Sequence, residues 1–213
     1  MNELLDLLYG DENFCGLCET RELETKYICK KCLKKTKYLG KINFDSKYID
    51  ALYARTVYEG DIRYAILKLK YQKATYLSKT FAKLLEDFIY RENLIDRFDS
   101  VVYIPMREKA KAKRGYNQMQ LVSKNLAKNL NKEFIDCGFS KTKDTKDQIK
   151  LSAAERIKNV KNAFSADFEI FNSKNILLID DTITTGATVE NFSKALKNAG
   201  TNYIIVLGIA ATL

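Results

Sequence analysis

The stretch Asn175 to Thr188, NILLIDDTITTGAT, decides which fold the chain can adopt. Its apolar run, Ile176 to Ile179, has the length and the flanks of a fully buried strand. Two carboxylates, Asp180 and Asp181, stand where that strand is predicted to end, and small or hydroxylated residues then run from Thr182 to Thr188. The order of strand, acidic pair and tight loop predicts one unit of an α/β fold.

A helix is predicted directly after this loop, because apolar residues recur at helical spacing from Val189 to Ala199 and Gly200 sits where a C-terminal cap belongs. The first turn of a helix offers unpaired backbone N–H groups and the positive end of the dipole, which suit a phosphate. Threonine hydroxyls add donors, and Gly186 lets the backbone approach a ligand closely. The carboxylates require sugar hydroxyls or a divalent cation as partners. The stretch therefore fits a sugar phosphate, although a plain strand that ends in two solvated acids is the alternative.

The length and amino-acid composition of the chain limit the functions that it can have. With 213 residues, 46% of them hydrophobic, the chain can hold one globular α/β domain and a small appendage. The net charge of +9 favours anionic partners, either phosphorylated metabolites or nucleic acid, but a lysine-rich surface alone does not indicate DNA binding. The absence of histidine excludes every mechanism that rests on imidazole. The N-terminus has no signal-peptide pattern and the longest apolar run is too short to span a bilayer, so we expect a cytoplasmic protein.

Four cysteines form two CxxC pairs near the N-terminus, Cys15 with Cys18 and Cys29 with Cys32. Two such knuckles can direct four thiolates at one point, which predicts a structural four-cysteine zinc site rather than disulfides or a redox pair. A short module of this kind would depend on the metal for its folding free energy. Cys137 stands alone, and we expect it to be a small buried residue.

Further elements follow from local patterns. Strands are predicted at Ala51 to Tyr58, Ser100 to Ile104 and Lys132 to Phe139, with a turn at Glu59 to Asp61. Helices are predicted from the spacing after Ile62, after Leu77 and around Leu126, and the lysines near Lys70 are assigned to a solvated helix face. The polar segment Lys141 to Asn162 is either a mobile lid or a surface connection. The cationic run Arg107 to Arg114 follows a strand at the edge where ligands of α/β sheets bind.

The strand, acidic pair and Thr/Gly-rich turn resemble the phosphoribosyl pyrophosphate motif of type I phosphoribosyltransferases. That resemblance implies an α/β fold with a parallel sheet flanked by helices, here at residues 41–213, after a zinc module at residues 1–40. It implies that Asp180 and Asp181 hold the ribose 2- and 3-hydroxyls. The 5-phosphate would be wrapped by Thr182, Ile183, Thr184, Thr185, Gly186, Ala187 and Thr188.

A closer resemblance to the ComF/GntX family rests on motifs along nearly the whole chain. They are the two CxxC pairs, YEGxxRxxIxxLKY at 58–71, IPM…KRGYNQ at 104–118, TKDQ…LSAAERxxNV at 145–160, and DDTITTGAT. The resemblance implies a diphosphate loop of Pro105, Met106 and Arg107, bordered by Lys113, Arg114, Gly115 and Asn117. It also implies a flexible loop at 141–148. Lys141 departs from the arginine expected there, and lysine cannot make a bidentate contact with phosphate.

These resemblances imply an enzyme that binds phosphoribosyl pyrophosphate with Mg²⁺ and transfers the phosphoribosyl group to an unknown acceptor during DNA uptake. Asp180 and Asp181 would anchor the ribose, while Arg107, Lys113 and Arg114 would compensate diphosphate charge. The alternative is a non-catalytic protein that handles single-stranded DNA, uses the same site as a sensor and meets other DNA-uptake proteins. Such partners could hold it at the periphery of the inner membrane. A purely structural zinc adaptor is the third hypothesis.

Overall fold

A computed structural model of the chain describes residues 14–20, 27–141 and 163–212. Within these ranges the strands are β1 (Tyr38–Lys41), β2 (Ala51–Val57), β3 (Ser100–Tyr103), β4 (Glu133–Phe134), β5 (Phe139–Lys141), β6 (Phe164–Ala166), β7 (Asn175–Ile183) and β8 (Tyr203–Ala211). The α-helices are α1 (Lys30–Lys35), α2 (Gly60–Tyr71), α3 (Leu77–Arg91), α4 (Glu108–Arg114), α5 (Gln118–Leu130), α6 (Phe168–Phe171) and α7 (Ala187–Asn198), and a 3₁₀ turn spans Ile95–Arg97.

The main sheet has the strand order β1-β2-β8-β7-β3-β4. All neighbours are parallel except β1, which runs antiparallel to β2 at one edge of the sheet. The strands β2, β8, β7, β3 and β4 therefore all end at the same edge, and the loops after them meet there. A separate two-stranded hairpin pairs β5 with β6.

The central strands are covered on both faces, which explains their continuous apolar runs. On one face Leu177 and Ile179 of β7 pack with residues of α2, α3 and α5. On the other face Ile176 and Leu178 pack with α7, whose Phe192 is fully buried. The predicted class, an α/β fold with a largely parallel sheet flanked by helices and a small N-terminal four-cysteine module, is confirmed.

Several predicted boundaries are wrong in detail. Strand β7 continues to Ile183, so the acidic pair lies inside the strand, and only Thr184 to Gly186 separate it from α7. The predicted turn at Glu59 to Asp61 is instead the start of α2, with Glu59 as the N-cap. The strand expected at Lys132 to Phe139 is reduced to the two residues of β4 and the start of β5. These differences arise because hydrogen bonds to neighbouring strands decide where a strand begins and ends. The local sequence pattern contains no information about those neighbours.

Cys137 is exposed, so the prediction of a small buried residue is wrong. It lies in the turn between β4 and β5, next to Gly138, whose φ of +74° is adopted easily only by glycine. The predicted lid and the motif at 145–160 lie outside the described residues, except for Lys141 in β5.

The N-terminal cysteine module is packed onto the main domain. Cys15, Cys29 and Cys32 belong to the same apolar cluster as Phe81 and Leu77 of α3. A Cβ on Gly16 would overlap the Thr80 hydroxyl, so glycine allows this close approach to α3. The boundary predicted between residues 40 and 41 falls inside β1, and the division into two domains stays a prediction. In the described ranges no helix is both long and apolar enough to cross a membrane.

Candidate functional site

The two aspartates lie near the carboxyl end of β7, opposite β8, where Asp180 pairs with Gly208. Successive strand residues point to opposite faces, so the two carboxylates face different helices. Asp181 is buried and accepts hydrogen bonds from Lys70 Nζ at 2.7 Å and from Gln118 Nε2 at 3.1 Å. Asp180 faces the other side, where it lines a small pocket beside the first turn of α7. The pair thus occupies the edge at which the strands end.

Asp180 carries an unusual charge state. Burial first, and then the neighbouring Asp181 charge, raise the pKa of Asp180 to about 8. The Asp181 backbone N–H, which donates to Asp180 Oδ1 at 2.9 Å, acts in the opposite direction, as do the charges of Lys70 and Lys141. A carboxyl group that retains its proton near neutral pH ionises when a cation or a hydroxyl donor approaches, so Asp180 is suited to a ligand that supplies either.

The loop between β7 and α7 presents free backbone donors. The N–H groups of Thr184, Thr185, Gly186 and Thr188 have no acceptor among the described residues, and the three threonines are exposed. The Ala187 N–H, by contrast, is engaged with Thr185 Oγ1 at 3.4 Å. These amides and the start of the helix α7 form a group of donors that can surround an anion.

Thr182 lines the same pocket, which is small at about 20 Å³. Its Oγ1 is buried and has no hydrogen-bond partner within the described parts of the chain. A buried hydroxyl without a partner is costly unless a water or a ligand satisfies it. Ile183, by contrast, is buried and packs against Gly208, so its side chain belongs to the core.

Gly186 is required for two reasons. Its φ of +74° places it in the left-handed region, and a Cβ there would lie 2.5 Å from Cε2 of Phe44. Phe44 belongs to the connection between β1 and β2, and the hydroxyl of Ser46 in the same connection donates to the Glu190 carboxylate of α7. This connection covers the start of α7, and the Cβ side of Gly186 faces Phe44.

The predicted diphosphate loop follows β3 at the same edge. Pro105 is buried, Met106 and Arg107 are half-buried, and Arg107 is the N-cap of α4. Asn117 holds this loop, because its side chain donates to Ile104 O at 3.1 Å and accepts from the Met119 N–H at 2.9 Å. The backbone of Lys113 lies in α4, but its side chain lies outside what the structure describes.

Two cations act on the acidic pair, Arg114 through a hydrogen-bonded glutamine and Lys141 through its charge. Arg114 Nη1 donates to Gln118 Oε1 at 2.6 Å, and Gln118 in turn donates to Asp181. Lys141 lies close enough to Asp180 and Arg107 for their charges to act on it, and burial lowers the pKa of its ammonium, with Arg107 adding to the effect. The structure therefore brings Arg107, Arg114 and Lys141 to the side of the acidic pair.

Sequence reasoning misses Lys70 and Gln118. The local pattern assigns Lys70 to a solvated helix face, whereas the structure pairs it with Asp181. A usable signal is present, since both residues lie inside the motifs LKY and KRGYNQ that carry the family resemblance. Those motifs mark the site without stating which side chains meet there.

The four N-terminal cysteines converge as predicted. The Sγ atoms of Cys15, Cys18, Cys29 and Cys32 all lie within 4.8 Å of one another, and Cys18 and Cys29 are 3.6 Å apart. Tetrahedral zinc with Zn–S bonds near 2.3 Å would require sulfurs separated by about 3.8 Å. Burial and the neighbouring cysteines raise the pKa of the Cys32 thiol, so a bound cation would be needed to keep all four as thiolates. The geometry and chemistry of the cluster fit a metal ion.

Two solved structures align with part of this chain, at low sequence identity and with TM-scores below 0.5. They include glutamine phosphoribosylpyrophosphate amidotransferase from B. subtilis in complex with ADP and GMP, with 17% identity and a TM-score of 0.47. A structure of the allosteric regulatory enzyme of purine biosynthesis has 16% identity and a TM-score of 0.46. Each alignment covers 68% of this chain and 30% of the longer chain.

Among curated proteins the similarity extends over most of the chain. Competence protein F of Haemophilus influenzae is 29% identical over 92% of this chain and 84% of its own length. DNA utilization protein YhgH of Escherichia coli K12 is 24% identical over 95% of this chain and 86% of its own length. The YhgH protein of Salmonella typhimurium is 24% identical over 94% of this chain and 85% of its own length. No protein-family model matches. The resemblance predicted from the motifs is confirmed, because the chain is similar over most of its length to these competence and DNA utilization proteins.

Proposed function

We propose that the chain binds phosphoribosyl pyrophosphate at the edge formed by β7, α7 and the loop after β3. The observation that carries this proposal is the position of Asp180, which lines one small pocket together with the unpaired donors at the start of α7. A sugar phosphate has hydroxyls for the carboxylate and a terminal phosphate for the amides, which matches these two neighbouring sets of groups.

The residues divide into three roles. Asp180 would accept hydrogen bonds from the ribose hydroxyls. Asp181 faces the other side of the strand, where Lys70 and Gln118 hold it, and it would contribute its negative charge beside them. The 5-phosphate would be surrounded by the threonine hydroxyls of the loop between β7 and α7 and by the amides of Thr184, Thr185, Gly186 and Thr188. Arg107, Arg114 and Lys141 would face the diphosphate, and their three charges would offset its negative charge.

The proposed reaction is transfer of the phosphoribosyl group to a nucleophile, with diphosphate as the leaving group. The bond from C1 of the ribose to the diphosphate oxygen breaks and a bond from C1 to the acceptor forms. Mg²⁺ that accompanies the ligand would neutralise part of the diphosphate charge. The protein would contribute position and charge compensation rather than acid–base catalysis, in agreement with the absence of histidine.

Calorimetric titration of the full chain with phosphoribosyl pyrophosphate and Mg²⁺ tests binding. We expect saturable binding that Asp180→Ala with Asp181→Ala abolishes, and that Asp96→Asn preserves because Asp96 precedes β3 at the opposite edge of the sheet. Unchanged affinity in the double variant would refute the site. Release of diphosphate in the presence of a panel of bases and amines then tests whether transfer occurs.

We further propose that the metal in the cysteine cluster is zinc and that its role is structural. Four thiolate ligands leave no open position for catalysis, and three of the four cysteines are buried against the main domain.

A second candidate function, handling of single-stranded DNA during DNA uptake, is favoured by one surface feature. Tyr64, Lys68 and Tyr71 lie on one face of α2, and Tyr64 and Tyr71 are 57% and 70% exposed. Lys68 lies 4.8 Å from the Tyr64 ring centroid, and Arg114 lies 5.2 Å from that of Tyr71. Exposed aromatic rings next to cations form a stacking surface for bases. The names of the curated relatives place those proteins in competence and DNA utilization.

Fluorescence anisotropy with a labelled oligonucleotide at several salt concentrations tests this second function. We expect a slope of the logarithm of affinity near −0.7 for each phosphate contact. Tyr71→Ala should weaken binding, whereas Tyr90→Ala, on the exposed surface of α3, should not. Absence of binding near physiological salt would exclude DNA handling by this surface and would leave the sugar phosphate proposal intact.

A further inference from the structure

A buried guanidinium in β2 lacks part of its hydrogen bonding. Arg55 is only 7% exposed, and its Nη1 has no hydrogen-bond partner among the residues that the structure describes. Its Nη2 contacts Thr36 Oγ1 at 3.5 Å, at the outer limit of a hydrogen bond. A buried cationic donor without an acceptor is costly, so this geometry indicates a partner other than the residues that the structure describes.

Arg55 lines a cavity of about 230 Å³ between α1, β1 and α3. None of the residues that line it belongs to the acidic pair or the loop of the sugar phosphate site. Leu33 and Phe88 form its apolar wall, and Tyr38 also lines it. The cavity is therefore a separate site and does not depend on the proposed function.

Cations dominate the charged groups of this cavity. Arg91 and Lys34 line it together with Arg55, and the guanidinium carbons of Arg91 and Arg55 lie 4.2 and 5.3 Å from the centroid of the Tyr38 ring. Asp87 also lines the cavity, but its carboxylate is 3.0 Å from Lys83 Nζ. The carboxylate of the nearby Glu92 accepts a hydrogen bond from the Tyr38 hydroxyl. The two acids thus have other partners, and the cations retain an excess of positive charge.

We propose that this cavity binds a phosphate group, with the Arg55 guanidinium as its central donor and Arg91 and Lys34 at its open side. A guanidinium presents paired N–H donors that match two phosphate oxygens, and a buried one does so in a medium where the interaction is little screened. The same group could arrive as free phosphate or as part of a nucleotide, since both expose the oxygens that the cavity recognises.

The chain contains no tryptophan, so Leu33→Trp places a single indole reporter in the cavity wall. Titration of this full-length variant with inorganic phosphate, and separately with adenosine monophosphate, should give a saturable change of fluorescence. The α7 loop shares no residue with this cavity, so phosphate that binds at that loop should leave this indole unchanged. Tighter binding of the nucleotide would identify a nucleotide phosphate as the ligand, and tighter binding of inorganic phosphate would identify the free ion.

Two additional substitutions in the reporter background test the roles of the arginines. Arg55→Lys keeps the charge but loses the paired donors, and Arg91→Gln removes an exposed cation without changing a buried residue. Each should weaken binding about tenfold, whereas Arg97→Gln, an exposed arginine against Tyr203, should leave it unchanged. A response that survives both Arg55→Lys and Arg91→Gln, or no saturable response to either probe up to about 10 mM, would overturn the proposal and assign Arg55 Nη1 to an ordered water.

Discussion

The ammonium group of Lys70 lies 2.7 Å from Oδ1 of Asp181, which joins the last turn of α2 to the carboxyl end of β7 across 111 positions of sequence. Both side chains are mostly buried, at 20% and 13% exposure, so solvent screens this pair less than a surface ion pair. The contact fixes one carboxylate of the acidic pair and supplies a charge that acts on the other.

Replacement of Lys70 by methionine should therefore destabilise the fold and weaken sugar phosphate binding. The Asp181 carboxylate would remain largely buried without its cation, at a cost of about 1–3 kcal/mol in the free energy of unfolding. Urea denaturation measures this value. Lys68→Met is the matched control on the same helix, because Lys68 contacts the half-exposed Glu19 at 3.5 Å and should cost less than about 1 kcal/mol. Equal effects of the two substitutions would contradict a special role for Lys70.

The raised pKa of Asp180 predicts a pH dependence of stability. The folded pKa, about 8, lies above the ordinary value of 3.8, so between these pH values the folded chain holds a proton that the unfolded chain has released. This group therefore makes the protein less stable as pH rises through that window, and its effect levels off above pH 8. Asp180→Asn should remove this component and should be more stable than the parent chain at pH 8.

Urea denaturation of both chains from pH 5 to 9 measures the difference, because contributions of the other groups cancel in it. Parallel curves for the two chains would show that Asp180 is ionised throughout and that its proton does not affect folding.

The cysteine cluster predicts one metal ion per chain and a large dependence of stability on it. Removal of the metal by a chelator should lower the melting temperature, because structural zinc contributes about 10–16 kcal/mol of apparent binding free energy in zinc-finger peptides. Cys32→Ser should reduce the metal content measured by elemental analysis. Cys137→Ser, at an exposed cysteine outside the cluster, should not change it. Full metal content in the Cys32 variant would exclude a site that needs all four cysteines.

Gly186→Ala should lower the free energy of unfolding by more than the cost of placing an alanine at a positive φ. Gly115 has a φ of +87° with open space where a Cβ would lie, so Gly115→Ala measures the cost of the backbone conformation, about 1–2 kcal/mol. Gly186→Ala adds the overlap with Phe44 and should exceed that value. In a Phe44→Ala background the excess should disappear. An excess that persists there would mean that another group crowds Gly186.

The predictions based on long apolar runs and on cysteine spacing succeed for a physical reason. A strand covered on both faces is predominantly apolar, so Val101 to Tyr103 of β3 and Ile176 to Ile179 of β7 are visible as apolar runs in the sequence. Two CxxC pairs constrain their thiols within a few residues, and the convergence of all four is predictable. The ends of strands are less predictable. The extension of β7 to Ile183 depends on its pairing with β8, and the local sequence pattern contains no information about that pairing.

The sequence by itself determined the α/β class, the position of the acidic pair before a donor-rich turn, and the cysteine cluster, because each is encoded within a few neighbouring residues. Only the tertiary structure decided that the two aspartates face opposite sides of the sheet and that Lys70, Gln118 and Lys141 surround them. It also decided that Phe44 fills the space beside Gly186. These contacts join residues far apart in the chain, and they exist only where the crossover order of the parallel strands brings their ends to one edge.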